Sequence, residues 1–355
     1  MSDWLVLPAF AKINLGLELL GQRRDRYWEI ATIYQTVSLA DRLRLRLRRS
    51  SGILLRVSPG THPADQGNLV WRALALARRR FGIRPGVEAE LQKKIPVGAG
   101  LGGGSSNAAA AVIGLLRLAR RRVERDELLR LGAALGADVA FFFLGGRALG
   151  VGRGDEVYPL DDLPATPCLL VCPRLNIPTG DAYRWARLPN LLAQASLGGQ
   201  ARLTPHRVPG RMEGFSLAPE RAEEAANDFE RIVFPRFPEL ARIKRQLAAA
   251  GAQPTALSGS GSTIYALFRQ LRTARAVARS LRRAGIRVFV VRTVSRERYA
   301  RALGLPAASR PAPQCGVSGE SSRGRTSAFG AEDLGSNPSS PATSGGREEG
   351  WTRIG

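Results

Sequence analysis

Residues 93–107 hold the pattern with the clearest chemical meaning in this sequence. Lys93, Pro96 and Val97 lead into a loop with five glycines, which reads Gly98-Ala99-Gly100-Leu101-Gly102-Gly103-Gly104-Ser105-Ser106-Asn107. Glycines let the backbone turn tightly and bring several N–H groups against one ligand, and a following helix offers its free N–H groups and positive dipole end to an anion. The loop therefore predicts a phosphate-binding site, in which Ser105 or Ser106 caps the helix or contacts a phosphate or its metal ion.

This loop differs from the Walker type because the Gly-Lys-Ser/Thr ending is missing. A glycine-rich hinge or a dinucleotide-binding fold is the alternative. The strand-like segment before the loop and the alanine-rich segment 108–111 after it favour a phosphate loop between a strand and a helix.

Two polar residues interrupt an apolar segment near the N-terminus. Lys12 and Asn14 lie two positions apart in a stretch rich in Leu, Val and Ile. Alternate side chains of a strand point to the same face, so the pair predicts a shared polar site. The alternative for Lys12 alone is a lysine at a sheet edge whose amine reaches water.

A second loop of small residues reads Ser258-Gly259-Ser260-Gly261-Ser262-Thr263. Its small side chains and exposed N–H groups could close over phosphates or a substrate. A tight turn joining a strand to a helix is the alternative.

The elements that must position these loops follow from hydrophobic periodicity. Period-two alternation predicts strands, and Gly136 predicts the end of a helix. In the first half we predict strands at 4–20, 42–48 and 87–91, a helix at 126–135, and a phenylalanine-rich strand from Phe141 to Phe143 that ends at Gly145 and Gly146. In the second half we predict helices at 238–250 and 272–284 and strands at 264–268 and 286–291. Alternating helices and strands indicate an α+β second domain.

Composition excludes several classes of protein. The chain has 355 residues, 44% of them apolar, and a net charge of +23. Three cysteines, Cys168, Cys172 and Cys315, provide neither a disulfide framework nor a metal-ligand spacing, which favours a reducing cytoplasm. His62 and His206 belong to no catalytic or metal-binding pattern. No uncharged apolar run reaches 18 residues, so we expect a soluble protein with no membrane partner.

The composition changes twice along the chain. Pro164 and Pro167 mark a boundary near residue 160, which predicts domains at 1–158 and 159–305. Residues 306–355 are rich in Ser, Gly, Pro and Ala, and we predict a disordered, low-complexity tail.

Three separated segments of this chain resemble a known kinase superfamily. They are the first glycine-rich loop, Leu257 to Thr263, and Pro8-Ala9-Phe10-Ala11-Lys12-Ile13-Asn14-Leu15. The superfamily includes galactokinase, homoserine kinase, mevalonate kinase and phosphomevalonate kinase, and is abbreviated GHMP. The resemblance implies a two-domain α+β fold with the site in the cleft between the domains, and it implies ATP and Mg²⁺ as cofactors.

The resemblance also implies roles for individual residues. Asp138 is similar to the catalytic aspartate that accepts the proton of the attacking hydroxyl, and Lys12 to the lysine that holds it. Without the resemblance, Asp138 is better explained as a turn or helix-terminus residue. Asn68 and Lys93 resemble residues near the adenine and ribose, with an ordinary cap and a surface charge as alternatives. Pro96 to Ser106 would bind the nucleotide phosphates.

Substrate recognition is where the sequence departs from the pattern that it resembles. Within the superfamily, the chain looks most like the kinases that act on a cytidine diphosphate derivative of methylerythritol. Those kinases usually carry the segment Asp-Gly-Tyr-His, which is replaced here by Asp25-Arg26-Tyr27-Trp28. Tyr27 can still stack on a base, whereas Trp28 can donate a hydrogen bond and cannot accept one. Both could instead be core aromatics. The predicted substrate-binding residues are Asn14, Tyr27, Trp28, Thr179, Gly259 and Ser260.

Two other functions stay open on the sequence alone. Another kinase of the superfamily could act on mevalonate, homoserine or a sugar. A basic RNA-binding protein could have kept the fold and lost catalysis, but the intact Asp138, Lys12 and loop glycines count against nucleic acid as the partner. The sequence does not specify the oligomeric state.

Overall fold

A computed structural model describes residues 3–60, 63–186, 226–284 and 286–306. His62, His206, Cys315 and the predicted disordered tail beyond Pro306 lie outside the described residues. Among the described residues, no helix has the length and apolar composition needed to cross a bilayer.

The first half of the chain forms a sheet of six strands. Two long strands, β1 and β2, pair as an antiparallel ribbon, and the sheet continues in the order β3-β4-β2-β5-β6. Only β3 and β4 run parallel. Leu43 and Leu45 of β2 are fully buried, as the alternation with arginine predicts. The strands are β1 (Leu5–Gln22), β2 (Trp28–Arg48), β3 (Ile53–Ser58), β4 (Gly86–Gln92), β5 (Arg147–Val151) and β6 (Glu156–Pro159).

One face of this sheet is covered by helices around the first hydrophobic core. The central helix is α2, which is buried from Ser106 to Leu116 and packs on β1 and β2. Its small residues permit this close approach, since a Cβ at Gly114 would lie 2.2 Å from Leu45 Cδ1. The covering helices are α1 (Leu69–Arg80), α2 (Gly103–Leu118), α3 (Arg125–Leu135) and α4 (Phe141–Leu144).

The phenylalanine-rich segment is helical, so the prediction of a strand at Phe141 to Phe143 is wrong. A short apolar run has no periodicity that separates a strand from a buried helix. Phe141 stacks on Tyr34 with ring centroids 4.8 Å apart. Gly145 and Gly146, at φ of 66° and 68°, end α4 and let the chain turn into β5.

The second half forms an antiparallel sheet of four strands in the order β10-β7-β9-β8. Its helices pack around a second core that contains Leu169, Phe229 and Ile264. The strands are β7 (Pro167–Cys172), β8 (Thr255–Leu257), β9 (Ile264–Leu267) and β10 (Arg287–Arg292), and the described helices are α5 (Thr179–Ala186), α6 (Phe229–Val233), α7 (Pro238–Ala249), α8 (Leu271–Arg283) and α9 (Arg296–Leu303).

The two sheets exchange elements near both ends of the chain. Trp28 and Ile30 at the start of β2 pack in the second core. Tyr299 and Leu303 of α9 pack in the first core, although they follow the second sheet in sequence. The strands of the first sheet end before residue 160 and those of the second sheet begin after it. The division into domains at 158/159 stays a prediction.

Candidate active site

A cleft of about 550 Å³ lies where β1, the two glycine-rich loops and the start of α2 meet. It gathers most of the residues predicted to bind nucleotide or substrate. Those that line it are Lys12, Asn14, Asn68, Lys93, Pro96, Val97, Gly98, Ala99, Gly100, Leu101, Gly102, Gly103, Gly104, Ser105, Asp138, Thr179, Gly259 and Ser260. Ser106, Tyr27 and Trp28 are not among its lining residues.

The first loop reaches α2 through glycines in the left-handed region. Gly98, Gly100 and Gly102 have φ of 68°, 75° and 66°, a conformation that favours glycine. Gly102 is the N-cap of α2, so the prediction that Ser105 or Ser106 caps the helix is wrong. The serines lie inside the first turn, where Ser106 N–H already donates to Gly102 O at 2.9 Å. Residues 102–105 at the start of α2 line the cleft, so this helix start lies where an anion site requires it.

The second glycine-rich loop packs directly against the first. Ser258 Oγ donates to Gly100 O at 2.9 Å, and Thr263 N–H donates to Ala99 O at 3.3 Å. A Cβ on Gly100 would lie 2.0 Å from Ser258 O, so only glycine fits there. The two loops therefore form one continuous wall of the cleft.

A buried carboxylate that the sequence analysis missed holds the base of the first loop. Asp41 Oδ1 accepts hydrogen bonds from the N–H groups of Lys94 and Ile95, at 2.6 and 2.8 Å. Its Oδ2 accepts from Lys93 Nζ and from Asn107 Nδ2. Lys93 is therefore a partner of the fully buried Asp41 as well as a lining residue of the cleft, and it is not the surface charge considered as its alternative.

Lys12 and Asp138 face each other across the cleft. Lys12 is 3% exposed, and its Nζ lies 3.4 Å from Asp138 Oδ2. The same Nζ donates to Asn14 Oδ1 at 2.7 Å, which confirms that Lys12 and Asn14 share a polar site. Asp138 keeps 31% of its side chain exposed, so an incoming hydroxyl can reach it. Lys12 is not an edge lysine that reaches water.

The buried Tyr34 forms a hydrogen bond with Asp138, and the sequence analysis missed this residue. Its hydroxyl donates to Asp138 Oδ1 at 3.0 Å, with Gly154 O as a second acceptor at 3.2 Å. Burial, followed by the charge of Asp138, raises the pKa of Tyr34 well above its ordinary value. Tyr34 therefore stays a hydrogen-bond donor at neutral pH, and it leaves Oδ2 of Asp138 to Lys12.

The side-chain amides of Asn14 and Asn227 hold two parts of the cleft in place. Asn14 Nδ2 donates to Thr32 Oγ1 at 2.7 Å, which orients the Asn14 carbonyl oxygen towards Lys12. Asn227 Nδ2 donates to the carbonyl oxygens of Leu257 and Gly259, both at 2.8 Å, and so holds the second loop. The sequence around Asn227 carries no pattern that reveals this contact.

Asn68 is the N-cap of α1, where its Oδ1 accepts from Val70 N–H at 2.9 Å. The alternative of an ordinary cap is therefore correct, and the same residue also lines the cleft. Thr179, at the start of α5, lies opposite Ser260, with their hydroxyl oxygens 3.2 Å apart.

The two aromatic residues of the predicted base site occupy different environments. Tyr27 is 57% exposed, and the Arg153 guanidinium lies 5.2 Å from its ring centroid. Trp28 is 4% exposed and packs in the second core, where its Nε1 has no hydrogen-bond partner in the described part of the chain. Trp28 is therefore a core aromatic and Tyr27 is not. Tyr183, which the sequence analysis missed, lines the cleft beside Phe229, and burial raises its pKa.

No cluster of three metal-ligating side chains occurs among the residues that the structure describes. Ser106 Oγ, in the first turn of α2, is buried without a hydrogen-bond partner in the same part of the chain. A lone hydroxyl at a helix start can ligate a phosphate-bound cation, but it cannot hold one by itself.

Sequence and structure comparisons place this cleft in a known class. The family described as GHMP kinases N terminal domain matches residues 68–146, and GHMP kinases C terminal matches residues 215–287. A solved homoserine kinase from Cytophaga hutchinsonii shares the fold, with a TM-score of 0.60 at 22% identity, over 83% of this chain and 96% of that chain. The fold is that of a GHMP kinase, an ATP-dependent enzyme.

Closer relatives define the family within this class. A 4-diphosphocytidyl-2-C-methyl-D-erythritol kinase of Solibacter usitatus is 40% identical over 82% of this chain and 90% of its own length. The corresponding protein of Moorella thermoacetica is 38% identical over 82% of this chain and all of its own length. A solved 4-(cytidine 5'-diphospho)-2C-methyl-D-erythritol kinase matches with a TM-score of 0.67 and 34% identity, over 81% of this chain and 99% of that chain. The chain belongs to the 4-diphosphocytidyl-2-C-methyl-D-erythritol kinase family.

Proposed function

We propose that this chain transfers the γ-phosphoryl group of ATP to the 2-hydroxyl of 4-diphosphocytidyl-2-C-methyl-D-erythritol, giving the 2-phosphate and ADP. This reaction belongs to the non-mevalonate route to isoprenoid precursors. The observation that carries the proposal is the Lys12–Asp138 pair, which faces the glycine-rich phosphate loop within one cleft. The names of the relatives support the choice of substrate.

The nucleotide site in this proposal consists mainly of backbone. The loop from Pro96 to Ser106 and the N-terminus of α2 offer N–H groups and a positive dipole end to the phosphates. Lys93 adds a positive charge that Asp41 holds in place, and Asn68 also lines the cleft. Mg²⁺ would supply charge neutralisation between the phosphates. Ser105, which lines the cleft, and the unpartnered Ser106 Oγ beside it in the first turn of α2 are the hydroxyls that could contact the ion.

Asp138 and Lys12 divide the chemistry at the acceptor hydroxyl. Oδ2 of Asp138, the carboxylate oxygen 3.4 Å from Lys12 Nζ, would orient the hydroxyl and accept its proton. Lys12 Nζ, fixed by Asn14, would neutralise charge that develops as the phosphoryl group moves. Phosphoryl transfer has a loose transition state, so this positioning matters more than full proton removal. Tyr34 would keep the Asp138 carboxylate in its orientation.

Base recognition is assigned to Tyr27 rather than to Trp28. The exposed Tyr27 ring can stack on cytosine, a contact worth about 1–3 kcal/mol per base. Its neighbour Arg153 lines the cleft and so connects the ring to the substrate side. Thr179, Gly259 and Ser260 would contact the remainder of the substrate from the second loop and α5. The cytoplasm stays our prediction for the location of the protein, because of its cysteine content.

Release of ADP by the purified chain tests the proposal. The chain is incubated with ATP, Mg²⁺ and one of three acceptors: 4-diphosphocytidyl-2-C-methyl-D-erythritol, mevalonate or homoserine. We expect turnover with the cytidine compound alone. Turnover with mevalonate or homoserine, and none with the cytidine compound, would instead identify the activity of another kinase of the superfamily. Tight, salt-sensitive RNA binding without any turnover would instead favour a binding protein on the same fold.

A further inference from the structure

A second concave surface of about 760 Å³ lies outside the active-site cleft. It runs between β2, α8 and β10, and we call it the arginine groove. Its lining consists of residues 38–40 of β2, Lys94, three arginines of α8, and residues 289–291 of β10. Lys94 follows Lys93 along the chain, but Lys93 lines the cleft and Lys94 lines the groove, so the two sites are separate.

The groove has an entirely basic charged lining. Arg275, Arg279 and Arg282 are spaced i, i+4 and i+7 on α8, which places them on one face of the helix, and Lys94 stands beside them. Its lining, as the structure describes it, contains no acidic residue. Arg282 is anchored by hydrogen bonds from its Nε and Nη2 to Val288 O, at 3.2 and 2.7 Å.

The other cations of the groove have no partner in the part of the chain that the structure describes. Within the described residues, neither Arg275, Arg279 nor the Lys94 amine forms a salt bridge or a side-chain hydrogen bond. Elsewhere on the same protein, exposed arginines form ion pairs with carboxylates: Arg56 pairs with Glu88, and Arg80 pairs with Glu127. Among the described residues, the groove therefore collects positive charge without a compensating carboxylate, which favours an anion there.

Backbone and apolar surface complete the lining. Arg292 N–H donates to Ser38 Oγ on the outer side of β10, whereas Thr293 N–H donates to Thr166 O on the inner side. Because N–H groups alternate along a strand, Val290 N–H points outward on the same side as that of Arg292. The half-buried Phe289 and Val290 and the buried Leu39 provide apolar surface between the cations.

We propose that the arginine groove binds a small phosphorylated compound, a mono- or diphosphate ester whose remaining part is apolar. Arginine guanidinium groups match phosphate oxygens with paired donors, and they are more weakly hydrated than ammonium groups. The apolar surface between the arginines would bury the organic part of the ligand. The concave shape favours a compact ligand over an extended nucleic-acid backbone, and Phe289 is the one aromatic residue in the lining that the structure describes.

The test measures binding to the full chain by calorimetry at fixed ionic strength. The cleft is first saturated with a non-hydrolysable ATP analogue, so that the glycine-rich loop cannot take up the probe. The probes are inorganic pyrophosphate and a short n-alkyl diphosphate. We compare the wild type with R275Q/R279Q and with a matched control, R242Q/R245Q, whose exposed arginines lie on α7 and line neither cavity.

We expect the alkyl diphosphate to bind the wild type and the control alike. We expect it to bind R275Q/R279Q at least about tenfold more weakly, because two charged hydrogen-bond donors are lost. Melting temperatures of both variants should match the wild type because all four arginines are exposed. No binding to the wild type, or equal weakening in both variants, would overturn the proposal. Equal affinity for the two probes would contradict the proposal that the groove binds an apolar part of the ligand. Arginine-dependent binding of a single-stranded RNA oligomer, without binding of the alkyl diphosphate, would replace the small molecule by RNA.

Discussion

Substitution of Gly100 by alanine should separate the two glycine-rich loops. At φ of 75° the added Cβ would lie 2.0 Å from Ser258 O, which is backbone and cannot rotate away. Adopting the left-handed region costs an alanine about 1–2 kcal/mol. Displacing a packed neighbour costs about 1–3 kcal/mol more. We therefore expect Gly100→Ala to destabilise the loop wall by about 2–5 kcal/mol, seen as a lower melting temperature and a fall in kcat/KM of at least tenfold.

The matched control for this substitution is Gly104→Ala in the same loop. Gly104 has no atom within 4 Å of its added Cβ, and its φ is not in the left-handed region. We expect it to keep the melting temperature of the wild type. The assay is thermal unfolding together with ADP release at varied ATP. A Gly100→Ala variant with wild-type stability and kcat/KM would refute the reasoning that contact between the loops shapes the cleft.

Three further substitutions probe the supports of the site. Tyr34→Phe removes the hydroxyl that donates to Asp138 at 3.0 Å, so kcat should fall about tenfold while the KM for ATP stays constant. Lys93→Met leaves the buried Asp41 without its cation, and should lower the free energy of unfolding by about 3–5 kcal/mol in denaturant titrations. Glu88→Gln should lower the melting temperature at neutral pH, with a difference that shrinks as the pH falls below about 4.5.

The pH dependence for Glu88 follows from hydrogen bonds to Arg56 and Arg46, which lower the pKa of its carboxyl group. A lowered pKa in the folded state gives stability that is present above the unfolded pKa and is lost as the pH falls through the folded pKa. A difference in melting temperature between Glu88→Gln and the wild type that stays constant as the pH falls below about 4.5 would contradict this prediction. For Tyr34→Phe, the contradicting result is a raised KM for ATP at unchanged kcat. For Lys93→Met, it is an unfolding free energy equal to that of the wild type.

Some features of the site can be predicted from sequence because they depend only on residues that are close together along the chain. Glycine spacing, a preceding alternating strand and a following alanine run are enough to predict the order β4, loop, α2. The period of a strand is enough to place Lys12 and Asn14 on one face. The strands from Leu43, Val87 and Ile264 also follow from their alternation or apolar runs.

The long-range parts do not follow from sequence. Asp41 meets Lys93 across 52 positions and Tyr34 meets Asp138 across 104, and neither residue stands in a pattern that marks it. Tyr34 and Asp41 both belong to the long strand β2, and its register depends on its pairing with the rest of the sheet. Phe141 was misassigned because a short buried helix and a buried strand share the same composition.

Turnover by an Asp138→Asn variant tests the central claim most directly. The acceptor is 4-diphosphocytidyl-2-C-methyl-D-erythritol, with ADP release measured beside the binding of a non-hydrolysable ATP analogue. Asparagine keeps the size and the hydrogen bond from Tyr34 but removes the negative charge that meets Lys12 and the proton-accepting oxygen. We expect kcat to fall by about 10²–10⁴, with analogue affinity and melting temperature close to those of the wild type. Wild-type turnover in this variant would contradict the account and remove Asp138 from the chemistry.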